Sequence, residues 1–141
     1  MRFWDSSAVV PLVVPQRHTA AAEAAFDADP SLVVWWATPV ECASALARLE
    51  REGGIDRDAL ATALERLRRL GTIWNEVQPG TRVRDVAQRL LRAHSLRAAD
   101  ALQLAAALEF AEDEPSDLEL VCFDARLADA ASRVGLRVLA N

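Results

Sequence analysis

Lysine is missing from this chain, since all 16 of its basic residues are arginine. That excludes every mechanism needing an amine: a phosphate-loop lysine, a Schiff base, a Ser-Lys dyad. Cysteine is scarce too. Cys42 and Cys122 are the only two, both lie in apolar segments, and there is no CxxC or Cys/His cluster. A disulfide or zinc site is therefore not expected, and each thiol should act as a small buried hydrophobe. No apolar run approaches the ~20 residues needed to cross a bilayer. Met1-Arg2-Phe3-Trp4 leads straight into Asp5, and Pro11 and Pro15 follow early, unlike a secretory signal. These absences predict a cytoplasmic protein with no membrane partner. Positive charge is also in deficit: 16 basic against 21 acidic residues leave a net charge of -5. Such a surface does not attract a phosphate backbone by counterion release, so a nucleic-acid ligand would have to be held locally. Arginine suits that task, because its planar fork binds two phosphate oxygens at once.

What is present is ample apolar material, 52% of 141 residues, enough for one compact domain spanning 1–141. Strand-length apolar runs occur at Arg2–Trp4, Leu32–Trp36, Leu120–Phe123 and Leu136–Leu139. Between them, three-to-four residue periodicity predicts helices over roughly Ala20–Ala28, Pro39–Glu52, Arg57–Leu70, Arg82–Ala93, Arg97–Glu112 and Arg126–Val134. Turns are expected at Gly53-Gly54, Pro79-Gly80 and Glu112–Asp117. Strands alternating with helices imply an α/β fold, with a mostly parallel sheet covered on both faces.

Open parallel sheets build their sites at the carboxyl ends of strands. Asp5 leaves the first apolar run directly, Asp124 follows Val121-Cys122-Phe123, and Glu41 sits in Thr38-Pro39-Val40-Glu41 just after Trp35-Trp36. Asp100 interrupts the stretch Ala98-Ala99-Asp100-Ala101-Leu102, on a helix so apolar that it must be buried. Each acid alone has an ordinary reading. Asp5 and Asp124 stand where helix N-caps stand, Thr38 to Glu41 has the letters and spacing of a capping box, and Asp100 would favour its helix's positive end. Convergence argues otherwise. Caps contribute about 0.5–2 kcal/mol each, whereas unit charges about 4 Å apart repel by about 4 kcal/mol at an effective dielectric near 20. A divalent cation resolves that conflict. Carboxylates without histidine or thiolate select a hard ion, magnesium with manganese able to substitute, and phosphodiester hydrolysis is the reaction such a site suits.

With these residues in place, the sequence resembles the PIN-domain nucleases, and more closely the VapC-type toxins of bacterial toxin–antitoxin pairs. Four strings in order carry the likeness over nearly the whole chain: Asp5-Ser6-Ser7-Ala8-Val9, Thr38-Pro39-Val40-Glu41, Arg97-Ala98-Ala99-Asp100-Ala101-Leu102-Gln103-Leu104-Ala105, and Phe123-Asp124-Ala125-Arg126-Leu127. The resemblance implies a three-layer α/β/α sandwich on a short central sheet of four to five strands. It also implies a metal-dependent endoribonuclease acting on RNA, a homodimer, and a cognate VapB-type antitoxin. Asp5, Glu41, Asp100 and Asp124 match the metal-binding acids, Ser7 a hydroxyl supporting the first acid, and Arg97 a basic position near the third. One departure is visible: Cys122 stands where many relatives have a hydroxyl.

Other residues carry blander expectations. His18 and His94 lack metal-ligand spacing and read as surface or helix-end residues. Trp35 and Trp36, adjacent on a doubly covered strand, should both be core. Arg66, Arg68 and Arg69 read as a solvated helix end. Among alternatives, a housekeeping PIN nuclease would keep the same four acids. A catalytically silent PIN binding module should have lost at least one. Phosphoryl-transfer folds that also begin from a strand-end aspartate require the lysine this chain lacks.

Overall fold

A computed structural model describes residues 1–112 and 114–140. Five strands, β1 (Arg2–Trp4), β2 (Leu32–Trp35), β3 (Asn75–Val77), β4 (Glu119–Val121) and β5 (Arg137–Leu139), form one sheet in the order β3-β2-β1-β4-β5. Every pairing is parallel, with Phe3 opposite Val33 on one side and opposite Leu120 on the other. Among the described residues seven α-helices connect them: α1 (Ser6–Val13), α2 (Thr19–Ala28), α3 (Thr38–Arg51), α4 (Arg57–Leu70), α5 (Thr81–Ala93), α6 (Ala98–Phe110) and α7 (Ala125–Arg133).

Because successive strand residues point to opposite faces, the sheet feeds two cores. Trp4, Leu32, Val34 and Val121 pack with α1, α2, α3 and α4. Phe3, Val33, Trp35, Leu120 and Cys122 pack with α5, α6 and α7. The result is the expected three-layer sandwich. Both cysteines are free and buried. Among the described residues no helix is long and apolar enough to cross a membrane.

Two elements escape the periodicity reading. Helix α1 carries Pro11 and the β-branched run Val9-Val10. It is apolar nearly all round and reads as neither period, yet burial of Ala8, Val9, Val10 and Val13 holds it helical. Strand β3 is Asn-Glu-Val at the sheet's edge, with two of three residues exposed, so it shows no apolar run. The Gly53-Gly54 turn is as expected. Gly53 takes φ 77°, and the amides of Gly53 and Gly54 donate to Glu50 O at 3.0 Å and Leu49 O at 2.8 Å, a Schellman closure of α3. In the expected turn at Glu112–Asp117, Pro115–Asp117 forms one 3-10 turn, and Asp113 lies outside the described residues.

One core assignment is corrected. Trp35 is buried, but Trp36 is 50% exposed. The strand ends at Trp35, so Trp36 leaves the sheet plane although its N–H still donates to Val77 O at 3.1 Å.

Candidate metal centre

Parallel strands β1 and β4 are neighbours, so the residues that leave them lie side by side at one edge of the sheet. Asp5 leaves β1 and caps α1, accepting from Ser7 N–H at 3.0 Å. Asp124 follows β4 and caps α7, its Oδ1 accepting from Leu127 N–H at 2.9 Å. The capping reading of both acids is therefore correct as geometry, and it is also what aims them. A shared cleft of about 690 Å³ is lined by Asp5, Glu41, Asp100 and Asp124 together. Thus the structure brings all four predicted acids to one place.

That proximity couples the charges of the acids. Burial, first, and then the charge of Asp100 push the Asp5 carboxyl above the usual range, against hydrogen bonds from Ser7. Asp100 is raised by burial and by Asp124, opposed by the Arg97 backbone and by the charges of Arg97 and Arg126. Glu41 is pushed up to about 7, by burial and then by Asp5 and Asp100, with Gln103 opposing. The salt bridges of Arg2 with Glu119, Arg68 and Arg69 with Glu65, Arg82 with Glu109 and Arg133 with Asp129 all lie elsewhere. None of them neutralises a cleft acid.

The donors are all oxygen, the set that a hard divalent ion takes, and their mutual repulsion is what such an ion relieves. Among the described residues, no three acidic, histidine or cysteine side chains already close around one point. Asp124 Oδ1 accepts from Leu127 N–H and Glu41 Oε2 from Gln103 Nε2, and both residues line the cleft with Asp5 and Asp100.

The supporting residues sharpen the picture. Ser7 N–H donates to Asp5 Oδ2 at 3.0 Å, and the Ser7 hydroxyl accepts from Phe123 N–H at 3.0 Å, tying the β1 and β4 ends together. Cys122 lies 3.7 Å from Asp5 Oδ2 and 3.8 Å from Ser7 Oγ, so the thiol packs against the first acid. Burial pushes its pKa up, and it remains a neutral, weak donor. Arg97 is the exposed N-cap of α6 and lines both the acid cleft and an adjoining recess with Arg126.

The capping-box reading of Thr38 and Glu41 is overturned. Ala37 is the N-cap of α3, and it has no side-chain cap. Thr38 Oγ1 instead accepts from Gln103 Nε2 at 3.1 Å, and Glu41 Oε2 accepts from the same amide nitrogen. A partner across the sheet's end has replaced the local one. His18 stands at a helix end as expected, in the N-cap position of α2, but it lines the acid cleft and stacks on Phe123 at 4.6 Å between ring centroids. Arg48, one turn beyond Ser44 and two beyond Glu41 on α3, lines the cleft as well. Sequence reasoning missed His18, Phe123, Arg48 and Arg126. The helical spacing of Glu41, Ser44 and Arg48 was the one available signal. The Arg66, Arg68 and Arg69 group lies away from the acids, with Arg68 and Arg69 bound to Glu65.

Comparison with known proteins agrees with this architecture. Residues 2–133 match the model of the PIN domain family. The chain is 34% identical over 137 residues to two proteins of Mycobacterium tuberculosis strains, Ribonuclease VapC45 and Ribonuclease VapC49, covering 96% of this chain and 92% of each relative. Its fold resembles the crystal structure of Mycobacterium tuberculosis VapC20, described as a Sarcin-Ricin loop cleaving toxin, with a TM-score of 0.67 at 16% identity over 92% of this chain and 95% of that one. The chain belongs to the PIN-domain family and groups within it with the VapC-type ribonuclease toxins.

Proposed function

We propose that this chain is a magnesium-dependent endoribonuclease, the toxin of a VapBC-type pair, hydrolysing RNA phosphodiester bonds in the cleft of Asp5, Glu41, Asp100 and Asp124. The observation that carries the reading is a set of four carboxylates in one cleft, three of them raised by burial and by their neighbours' charge, to which no arginine among the described residues forms a salt bridge. Those four residues would hold the divalent ion, Mg2+ or Mn2+ in its place. When bound, the ion supplies neutralisation of the phosphate and activation of water. The chain's own groups do the rest. Ser7 fixes Asp5 through its backbone N–H, and the Leu127 N–H fixes Asp124. Exposed Arg48 and Arg97 in the cleft and Arg126 in the adjoining recess offer bidentate contacts to phosphates flanking the scissile bond. They supply locally the attraction that a net charge of -5 denies globally.

The antitoxin reading has its own support. Leu12, Phe26, Leu70 and Ile73 line an apolar groove of about 510 Å³ between α1, α2 and α4, edged by Arg66 and Arg69. It suits the apolar face of a partner helix. Exposed Trp36 and Val40, beside the cleft, suit burial in a homodimer. The site of action in this reading is the cytoplasm. Purified protein should cut RNA with Mg2+ and stop in excess EDTA, and expression alone should arrest growth until the antitoxin is co-expressed. Cutting undiminished by EDTA would end the metal reading. Harmless expression of an active nuclease would end the toxin reading alone.

A further inference from the structure

Helix α6 buries Ala101, Leu104, Ala105, Ala106 and Ala107, and among them one polar side chain, Gln103, at 1% exposure. An amide in such a place is costly to desolvate unless its atoms are bonded. Its nitrogen is bonded twice, to Thr38 Oγ1 and Glu41 Oε2, but its Oε1 has no hydrogen-bond partner. A glutamine kept for stability alone would not leave half its amide unsatisfied among alanines. What the amide does achieve is specific: it reaches from α6, the helix that carries Asp100, to α3, the helix that carries Glu41. Thr38 is itself fully buried and holds the nitrogen from the other side, so the direction of the N–H bonds is fixed.

We infer that Gln103 is a positioning residue: its amide holds the Glu41 carboxylate toward Asp5 and Asp100, completing the site for a divalent cation. This rests on the metal reading above. Partners that orient a metal ligand from behind alter affinity by about 10–100-fold when removed. The structure also explains why a local capping box could not serve. A capping box would turn Glu41 back on its own helix, whereas Gln103 ties its orientation to the element bearing the third acid.

The test is Mn2+ binding, measured by the paramagnetic resonance of the free ion, alongside metal-free melting curves. Gln103→Met keeps the length and apolar fit of the side chain and removes the donor. Gln103→Asn keeps the amide and shortens its reach by one methylene. The expected result is that each variant that folds binds Mn2+ about 10–100-fold more weakly than the parent. In the Gln103→Met protein the metal-free melt should stay close to the parental one. In a Glu41→Gln background, the same Met change should cause no further loss of Mn2+ affinity, because the residue acts through Glu41. Parental Mn2+ affinity in either folded variant would overturn the inference while leaving the metal centre standing. So would an equal, additive loss in the Glu41→Gln background, which would mark a general structural role. A parent chain that binds no Mn2+ would overturn the metal reading and this inference with it.

Discussion

Two glutamates on neighbouring helices show how the chain distributes its charge. Glu65 on α4 is exposed and gripped by Arg68 at 2.7 and 3.0 Å and by Arg69 at 3.3 Å, and its carboxyl is pulled down to about 2, chiefly by the Arg68 hydrogen bonds. Glu41 on α3 is half-buried, faces Asp5 and Asp100, and is pushed up to about 7, chiefly by burial. The difference is not a shortage of cations, since 16 arginines are available. Arginine pairs where a carboxylate is solvated and the pair gains little, and among the described residues it forms no salt bridge with the cleft acids, although the charges of Arg97 and Arg126 bear on Asp100. A chain selected for stability alone would reverse that allocation. The metal centre proposed above would account for it, because an internal salt bridge would occupy the oxygens that a cation needs.

The comparison is broken most severely by removing a cleft acid. Asp5→Asn or Asp100→Asn should lower RNA cleavage by more than about 100-fold, beyond the loss usual for residues that merely orient a ligand. Each should fold as the parent does, which circular dichroism would establish. Glu65→Gln, the matched control on α4, should cleave as the parent does.

A smaller effect separates the two glutamates by pH. Glu41 binds its proton more tightly when folded, its pKa rising from an ordinary 4.5 to about 7. Its contribution to metal-free stability is therefore fully present below about 4.5 and lost as pH rises through about 7. Asp5 and Asp100 shift in the same direction. Glu65, depressed to about 2, has the opposite sign: its contribution is present above about 4.5 and lost as pH falls toward about 2. Metal-free protein should thus melt at a lower temperature near pH 8 than near pH 5.5. Glu41→Gln should flatten that slope and Glu65→Gln should leave it unchanged. A slope that survives Glu41→Gln at full size would remove the acid cleft as its cause.

Much of the fold was legible because the outlying signals are strong. β1 and β4 are apolar runs, each with an acid just beyond it, and α4 begins and ends where its periodicity says. β3 was not legible, since a polar three-residue edge strand owes its existence to pairing with β2, a long-range event with no local trace. Nor was α1, where Pro11 and the valines speak against the helix that burial enforces. At the site the four carboxylates could be read because each follows a strand or interrupts an apolar helix. Gln103 interrupts the same helix as Asp100 and could have been found by the same argument. Its partners Thr38 and Glu41 lie 65 and 62 residues away, however, and the local capping-box letters supplied a competing explanation for both. His18 and Phe123 meet only because the α1–α2 and β4–α7 connections face each other across the cleft. Spacing along the chain carries no trace of that.

The central claim is that the four acids repel one another until a divalent ion joins them, and the melting curves of the parent and Asp100→Asn with and without Mn2+ test it most directly. Without metal, Asp100→Asn should melt at or above the parent, because one repelling charge is gone at little change in volume. With Mn2+ at about 100 times its dissociation constant, the parent should gain about 2.7 kcal/mol, or about 5–10 °C for a chain of this size, and Asp100→Asn should gain far less. An Asp100→Asn protein that melts well below the parent without metal, yet is stabilised by Mn2+ as strongly, would show that the acid is a structural partner and that the metal centre lies elsewhere.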